Sequence, residues 1–142
     1  MYRKVLVALD NTAADRSLLP HVRELARLTG AELLLVHVAT GFAAQWRDQL
    51  RLEESREMQE DRAYLERAAE TLRAEGLHAG TALLLGDPPT EILRLAQREG
   101  CDLIAMTTHG HRFIADFLLG STIDKVRHAT DIPLLVVRAA PG

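Results

Sequence analysis

Val5-Leu6-Val7-Ala8-Leu9 runs straight into Asp10 with no polar residue alternating inside it. A strand with one wet face alternates apolar and polar residues, so an unbroken apolar run of this length reads as a strand covered on both faces. Three more such runs follow, Leu33 to Val38, Leu103 to Met106 and Pro133 to Val137. Leu77 to Leu85 supplies a further strand, interrupted by Gly80.

Working outward from these runs, the stretches between them carry helical spacing. Leu18, Leu19, Val22, Leu25, Ala26 and Leu28 recur three and four apart and stop at Gly30, which suits the residue just past a helix end. This places the first helix at Asp15 to Thr29, with Thr12 or Asp15 as its cap. Ala43 to Glu75 is charged, with Leu50, Met58, Leu65, Ala68, Ala69 and Leu72 on one side. Most of it reads as one amphipathic helix, irregular near Trp46 and ended by Gly76. Its six Arg and nine acidic residues between Arg47 and Glu75 are mixed in sign, which marks a solvated face. Gly86-Asp87-Pro88-Pro89 turns the chain into a third helix that runs toward Gly100. A last helix is expected from Ser121 to Ala129.

Strands and helices therefore alternate strictly. That order implies an α/β fold: a doubly wound, five-stranded parallel sheet with helices on both faces, joined by right-handed crossovers. Ligands of such sheets sit beyond the carboxyl ends of the strands, where the winding reverses. A chain of 142 residues corresponds to one domain, residues 1–142, at roughly 150 residues per domain.

The charge balance narrows the partners. Fifteen of the 17 basic residues are Arg, but 20 acids outnumber them, leaving a net charge of -3 and no overall basic field for nucleic acid. Cys101 stands alone, so neither an internal disulfide nor a thiol metal cluster is expected. The apolar run near the N-terminus is too short for a signal core or a membrane span. A soluble, cytoplasmic protein is the expectation.

Chemistry should then collect just after the strands. Asp10 follows the first; its carboxylate suits either ribose hydroxyls or an adenine amine, or a capping role. After the fourth come Met106-Thr107-Thr108-His109-Gly110-His111-Arg112, and Gly120-Ser121-Thr122 stands ten residues past Gly110. Gly120 is either a turn with Ser121 as N-cap, or a close-approach point at a helix start whose free N–H groups hold an anion. His109 and His111 form only a pair, too few for a metal site, and no metal is expected. His37 on a buried strand reads as a satisfied core imidazole, His21 and His128 as helix surface, and Cys101 as an inert small thiol.

Over essentially its whole length the chain resembles the universal stress protein family. The likeness is carried by Lys4-Val5-Leu6-Val7-Ala8-Leu9-Asp10, Leu35-Val36-His37-Val38, Gly86-Asp87-Pro88, Asp102-Leu103-Ile104-Ala105-Met106, His109-Gly110, Gly120-Ser121-Thr122, Lys125-Val126-Arg127-His128 and Ile132-Pro133-Leu134-Leu135-Val136-Val137. ATP-binding members carry glycine, two residues, glycine, nine residues, then glycine with Ser or Thr. Gly110 and Gly120-Ser121 match the last two glycines, while Thr107 stands at the first. The Cβ and hydroxyl of Thr107 either crowd a nucleotide or add a hydrogen bond to it. The resemblance thus implies a Rossmann-like fold and a site for ATP or a related adenine nucleotide, alone or with Mg²⁺. Asp10 would lie at the ribose or base and Val38 and Met106 against adenine. The loop from Gly110 to Gly120, with Ser121 and Thr122, would surround the phosphates, next to Thr107 at the position of the first glycine. Arg112 would add a positive charge in the same loop as a further phosphate contact. It also implies a homodimer joined through Leu134 to Val137.

A stress-response module whose shape or partners follow nucleotide state is the function implied. The alternatives are a nucleotide-free dimeric module, which Thr107 favours, and a slow ATPase. No general base or second carboxylate accompanies Asp10, no catalytic residue is assigned, and hydrolysis is expected to be weak at most. Ala8-Leu9-Asp10-Asn11-Thr12 lacks the loop of a nucleotidyltransferase, no Walker loop is present, and a receiver domain would need an acidic pair after the first strand.

Overall fold

The computed structural model describes residues 1–39, 51–108 and 114–140, with 51–55 and 114–121 as helix backbone. In chain order the elements are β1 (Lys4–Ala8), α1 (Asp15–Thr29), β2 (Glu32–Ala39), α2 (Arg51–Ala74), β3 (Ala79–Leu85), α3 (Pro88–Arg98), β4 (Leu103–Thr108), α4 (Ile114–Ala129) and β5 (Leu134–Arg138). The five strands form one parallel sheet in the order β3-β2-β1-β4-β5, so the winding reverses between β1 and β4. This is the doubly wound α/β fold that the alternating order predicts.

Both faces of the sheet are covered, which is why its strands read as unbroken apolar runs. Odd-numbered residues of β1, Val5 and Val7, join Leu33, Leu35, Leu103 and Ala105 in a core closed by α1 and α2 through Leu18, Val22, Leu65 and Leu72. Leu6 faces the other way with Leu34, Val36, Ile104 and Met106, and α3 and α4 cover them with Ile92, Leu95 and Val126. Gly80 does not interrupt β3: it pairs with Leu34 in register within the sheet. Its strand begins at Ala79, two residues later than the expected Leu77.

α1 occupies the expected Asp15–Thr29, and Gly30 closes it in the left-handed conformation (φ 75°), donating its N–H to the Ala26 carbonyl. The expected cap is corrected. Ala14 stands at the N-cap with no side-chain hydrogen bond, while Thr12 Oγ1 accepts from the Ala14 N–H and Asp15 turns back toward β1. A larger correction concerns α4, which begins at Ile114, seven residues before Ser121. Gly120, Ser121 and Thr122 therefore lie in the body of this helix and not in its first turn. The run Ile114-Ala115-Asp116-Phe117-Leu118-Leu119 has no breaker, and one glycine costs a helix only about 1 kcal/mol, too little to stop it. Phe42 and Trp46 lie outside the described residues. Among the described residues no helix is long and apolar enough to cross a membrane.

Candidate functional site

The carboxyl ends of β1, β2 and β4 open into a cleft of about 450 Å³, within the range of small-molecule sites. Its wall is largely apolar: Val36 and Val38 from β2, Met106 from β4, and Pro88, Pro89 and Ile92 from the start of α3. Asp10, His37, Asp87, Thr107, Thr122 and Lys125 complete its lining. The structure thus brings together five residues expected from the sequence, namely Asp10, Val38, Met106, Thr107 and Thr122. Gly110 and Arg112, with His109 and His111, lie outside the described residues. Gly120 and Ser121 are placed only as backbone of α4.

Thr107 is 4% exposed and pairs with Val137 of β5, so its backbone belongs to the sheet at the cleft edge, while strand alternation turns its side chain to the face opposite Met106. The start of α3 shapes the opposite side. Asp87 is its N-cap, accepting from the Thr90 N–H (3.3 Å) and Oγ1 (2.5 Å), and Pro88 and Pro89 have no N–H to give. This helix start therefore presents apolar surface, not the ring of free donors that holds an anion. Lys125 of α4 is exposed and brings a positive charge to the cleft. The proline turn and Lys125 are cleft-lining positions that sequence reasoning treated only as a turn and a family match. A signal existed, since a proline pair three residues after a strand end marks the strand-to-helix corner at the sheet edge where ligand clefts form.

A polar network lies behind Asp10. Asp15 is 1% exposed, yet its carboxylate accepts from the Asp10 N–H at Oδ1 (3.1 Å) and from the Asn11 N–H (2.9 Å) and Tyr64 OH (2.5 Å) at Oδ2. Asn11 takes a positive φ of 60°, which lets successive N–H groups turn toward one carboxylate. Asp10 itself accepts at Oδ1 from the Thr12 N–H (3.2 Å) and hydroxyl (2.6 Å), closing a tight turn. Asn11 Nδ2 donates to Asp61 Oδ1 (3.1 Å). His37 donates from Nδ1 to the Leu9 carbonyl (2.9 Å), and its Nε2 lies 3.5 Å from Asp61 Oδ2. His37 is thus the satisfied imidazole expected, but it also reaches the cleft wall.

Burial pushes the Asp15 carboxyl up to about 6, against the hydrogen bonds from Tyr64, Asp10 and Asn11; the Asp10 carboxylate adds to the rise. Burial, and then the Asp15 carboxylate itself, make the Tyr64 phenol hold its proton more tightly than usual. The sign for folding follows. The folded chain binds this proton more tightly than the unfolded chain, whose value is 3.8, so Asp15 contributes stability below about pH 4 that is lost as pH rises through about 6. Asp15→Asn should remove this falling slope of unfolding free energy between pH 4 and 6. Urea titrations across that window check it, and an unchanged slope would assign the titration elsewhere.

Cys101 is 5% exposed and burial pushes its thiol up to about 11, which keeps it inert. His21 and His128 are exposed. Among the described residues no group of three or more His, Cys, Asp or Glu converges to hold a metal ion.

The fold and cleft define a Rossmann-like, doubly wound α/β protein with a ligand-sized site at its switch point. The chain belongs to the universal stress protein family, whose sequence model matches residues 1–138. It is 30% identical to universal stress protein YxiE of Bacillus subtilis, covering 97% of this chain and all of that one. With universal stress protein MJ0577 of Methanocaldococcus jannaschii it shares 28% identity over 97% of this chain and 96% of the relative. The solved structure of MJ0577 superposes with a TM-score of 0.82 at 27% identity, covering all of this chain and 99% of that one. The same fold recurs in a universal stress protein solved with cAMP (TM-score 0.69, 20% identity, 98% of each chain). It recurs again in one from Archaeoglobus fulgidus solved with dAMP (TM-score 0.65, 24% identity, 96% of this chain and 98% of that one).

Proposed function

We propose that the chain binds an adenine nucleotide in this cleft and acts as a nucleotide-dependent regulatory or interaction module. The observation that carries the reading is the convergence of Asp10, Val38, Met106, Thr107 and Thr122 on one cleft at the sheet reversal. An apolar slot between Val38 and Met106 suits a flat base, and the Asp10 carboxylate accepts from ribose hydroxyls or the adenine amine. The proline-capped start of α3 offers no anion site, so the phosphates are assigned to the other side. Thr122 and Lys125 of α4 line the cleft on that side, and the family glycine pattern assigns Gly110, Gly120 and Ser121, with Arg112 beside them, to the phosphates. Because Gly120 and Ser121 lie within α4 in this conformation, phosphate binding through their N–H groups requires the first turns of that helix to rearrange. The universal stress proteins solved with cAMP and dAMP add weight to an adenine ligand. ATP is the nucleotide that the glycine pattern favours.

The test is thermal unfolding of ligand-stripped protein with ATP, AMP, cAMP and, as control, GTP. A ligand at about 100 times its dissociation constant stabilises by roughly 2.7 kcal/mol, a rise of roughly 5–10 °C for a domain of this size. Such a rise with an adenine nucleotide and not with GTP is expected. The absence of any shift at millimolar concentration would favour the second reading, a nucleotide-free module, for which the buried Thr107 in place of the first motif glycine speaks. In both readings the chain forms a homodimer along β5, an edge strand on which Val136 is 42% exposed. Light scattering at micromolar concentration should return twice the chain mass, and a monomer would remove the dimer from the proposal.

A further inference from the structure

We propose that Asp15, held by Tyr64, is the positioning residue of the cleft: ionised, it fixes the loop that carries Asp10, and protonated, it releases that loop, so that ligand affinity follows its proton. The inference rests on the nucleotide reading above for its ligand, but its structural half stands on the network alone.

Three donors converge on two oxygens. The Asp10 N–H takes Oδ1, and the Asn11 N–H and the Tyr64 hydroxyl share Oδ2. A carboxylate accepts all three, whereas a carboxylic acid must donate one hydrogen, and an N–H cannot receive it. Among the described contacts of this carboxyl only the Tyr64 oxygen can, and the hydroxyl must turn to do so. Protonation therefore weakens the two bonds that shape the backbone at Asp10 and Asn11.

The same loop is tied at two further points. His37 holds the Leu9 carbonyl and Asp61 holds the Asn11 side chain. Asp61 and Tyr64 stand three residues apart on α2, one turn of the helix, so both reach the loop from the same face. The titratable and charged groups around Asp15 are Asp10 and Tyr64, which act on it directly, Arg16, which acts on Tyr64, and Asp61 and His37, which are tied to the same loop. The negative neighbours favour the protonated form, and the three donors favour the ionised one. A buried carboxylate kept so near balance lowers stability at neutral pH.

Two measurements test the proposal. In ligand-free protein, the amide proton shifts of Asp10 and Asn11 should titrate with a midpoint near pH 6, the value burial gives Asp15. The transition should vanish in Asp15→Asn and move to higher pH in Tyr64→Phe, which keeps the packing ring and loses one donor. Separately, the dissociation constant for AMP is measured by calorimetry at pH 7.5 and 5.0. With about one-eleventh of Asp15 ionised at pH 5.0, wild-type affinity should fall about tenfold beyond the change seen in Asp15→Asn. Ionisation of the AMP phosphate is common to both proteins and cancels in that ratio. Flat amide shifts, or an Asp15→Asn affinity that follows the wild-type profile, would overturn the proposal. If wild-type protein binds no adenine nucleotide, the nucleotide reading fails and the link to affinity falls with it, while the amide titration still decides whether Asp15 holds the loop.

Discussion

Replacing Asp10 by alanine should weaken adenine-nucleotide binding about 10- to 100-fold at pH 7.5. Hydrogen bonds to a charged acceptor contribute about 1.5–3 kcal/mol, and the groups they would leave on the ligand are shielded from water by the cleft. The substitution also removes the acceptor for the Thr12 N–H and hydroxyl, so part of the loss could come from a loosened turn. Asp10→Asn separates the two causes because it keeps one oxygen for Thr12 while removing the charge. An affinity restored by the amide would mean that the turn and not the charge is what binding needs. Equal affinity in wild type and Asp10→Ala, read by calorimetry, would make Asp10 a turn-former only. Loss of this carboxylate should also lower the pH at which Asp15 titrates, since Asp10 is the negative neighbour that raises it.

Ile104→Ala should cost about 2–5 kcal/mol of unfolding free energy, a large part of the roughly 5–15 kcal/mol available to a domain. Ile104 is fully buried near the start of β4, in register with Leu6 on one side and Leu134 on the other. Its side chain packs among Val36, Ile92, Met106 and Val126, so the cavity would open just below the cleft floor. The helices α3 and α4 meet over this point, which limits how far the site can collapse to fill it. Leu28→Ala is the contrast: at 83% exposed it should shift stability by less than about 0.5 kcal/mol. Urea denaturation of the three proteins decides it, and comparable losses in the two variants would contradict the core assigned here.

These two residues differ in how legible they were. Ile104 stands in Leu103 to Met106, whose apolar continuity alone predicts a strand buried on both faces, and the two cores confirm that reason. α1 was equally legible, because an apolar period and Gly30 set both its face and its end. The start of α4 was not. Gly120-Ser121 looks like a boundary in sequence, yet the apolar run before it carries the helix back to Ile114. Asp15 was misread for a related reason. An acidic residue at a helix start looks like a cap or a partner for the helix dipole, and nothing within several residues says otherwise. Tyr64, 49 positions away, is what makes it a buried acceptor.

The sequence by itself determined the strands, their parallel pairing and the end of the sheet at which a cleft is expected, because these follow from local periodicity and from topology rules that need no knowledge of distant contacts. The Asp10, Val38 and Met106 positions came from the family resemblance and not from periodicity. Only the tertiary structure decided that Asp87, Pro88, Pro89 and Lys125 share a cleft with them. It alone decided that α2 reaches across to the Asp10 loop through Asp61 and Tyr64. Hydrogen-bond geometry and desolvation act over a few ångströms between residues that are far apart along the chain, and the register that brings them together, Ala8 beside Val36 and Val7 beside Ala105, exists only once the sheet has formed.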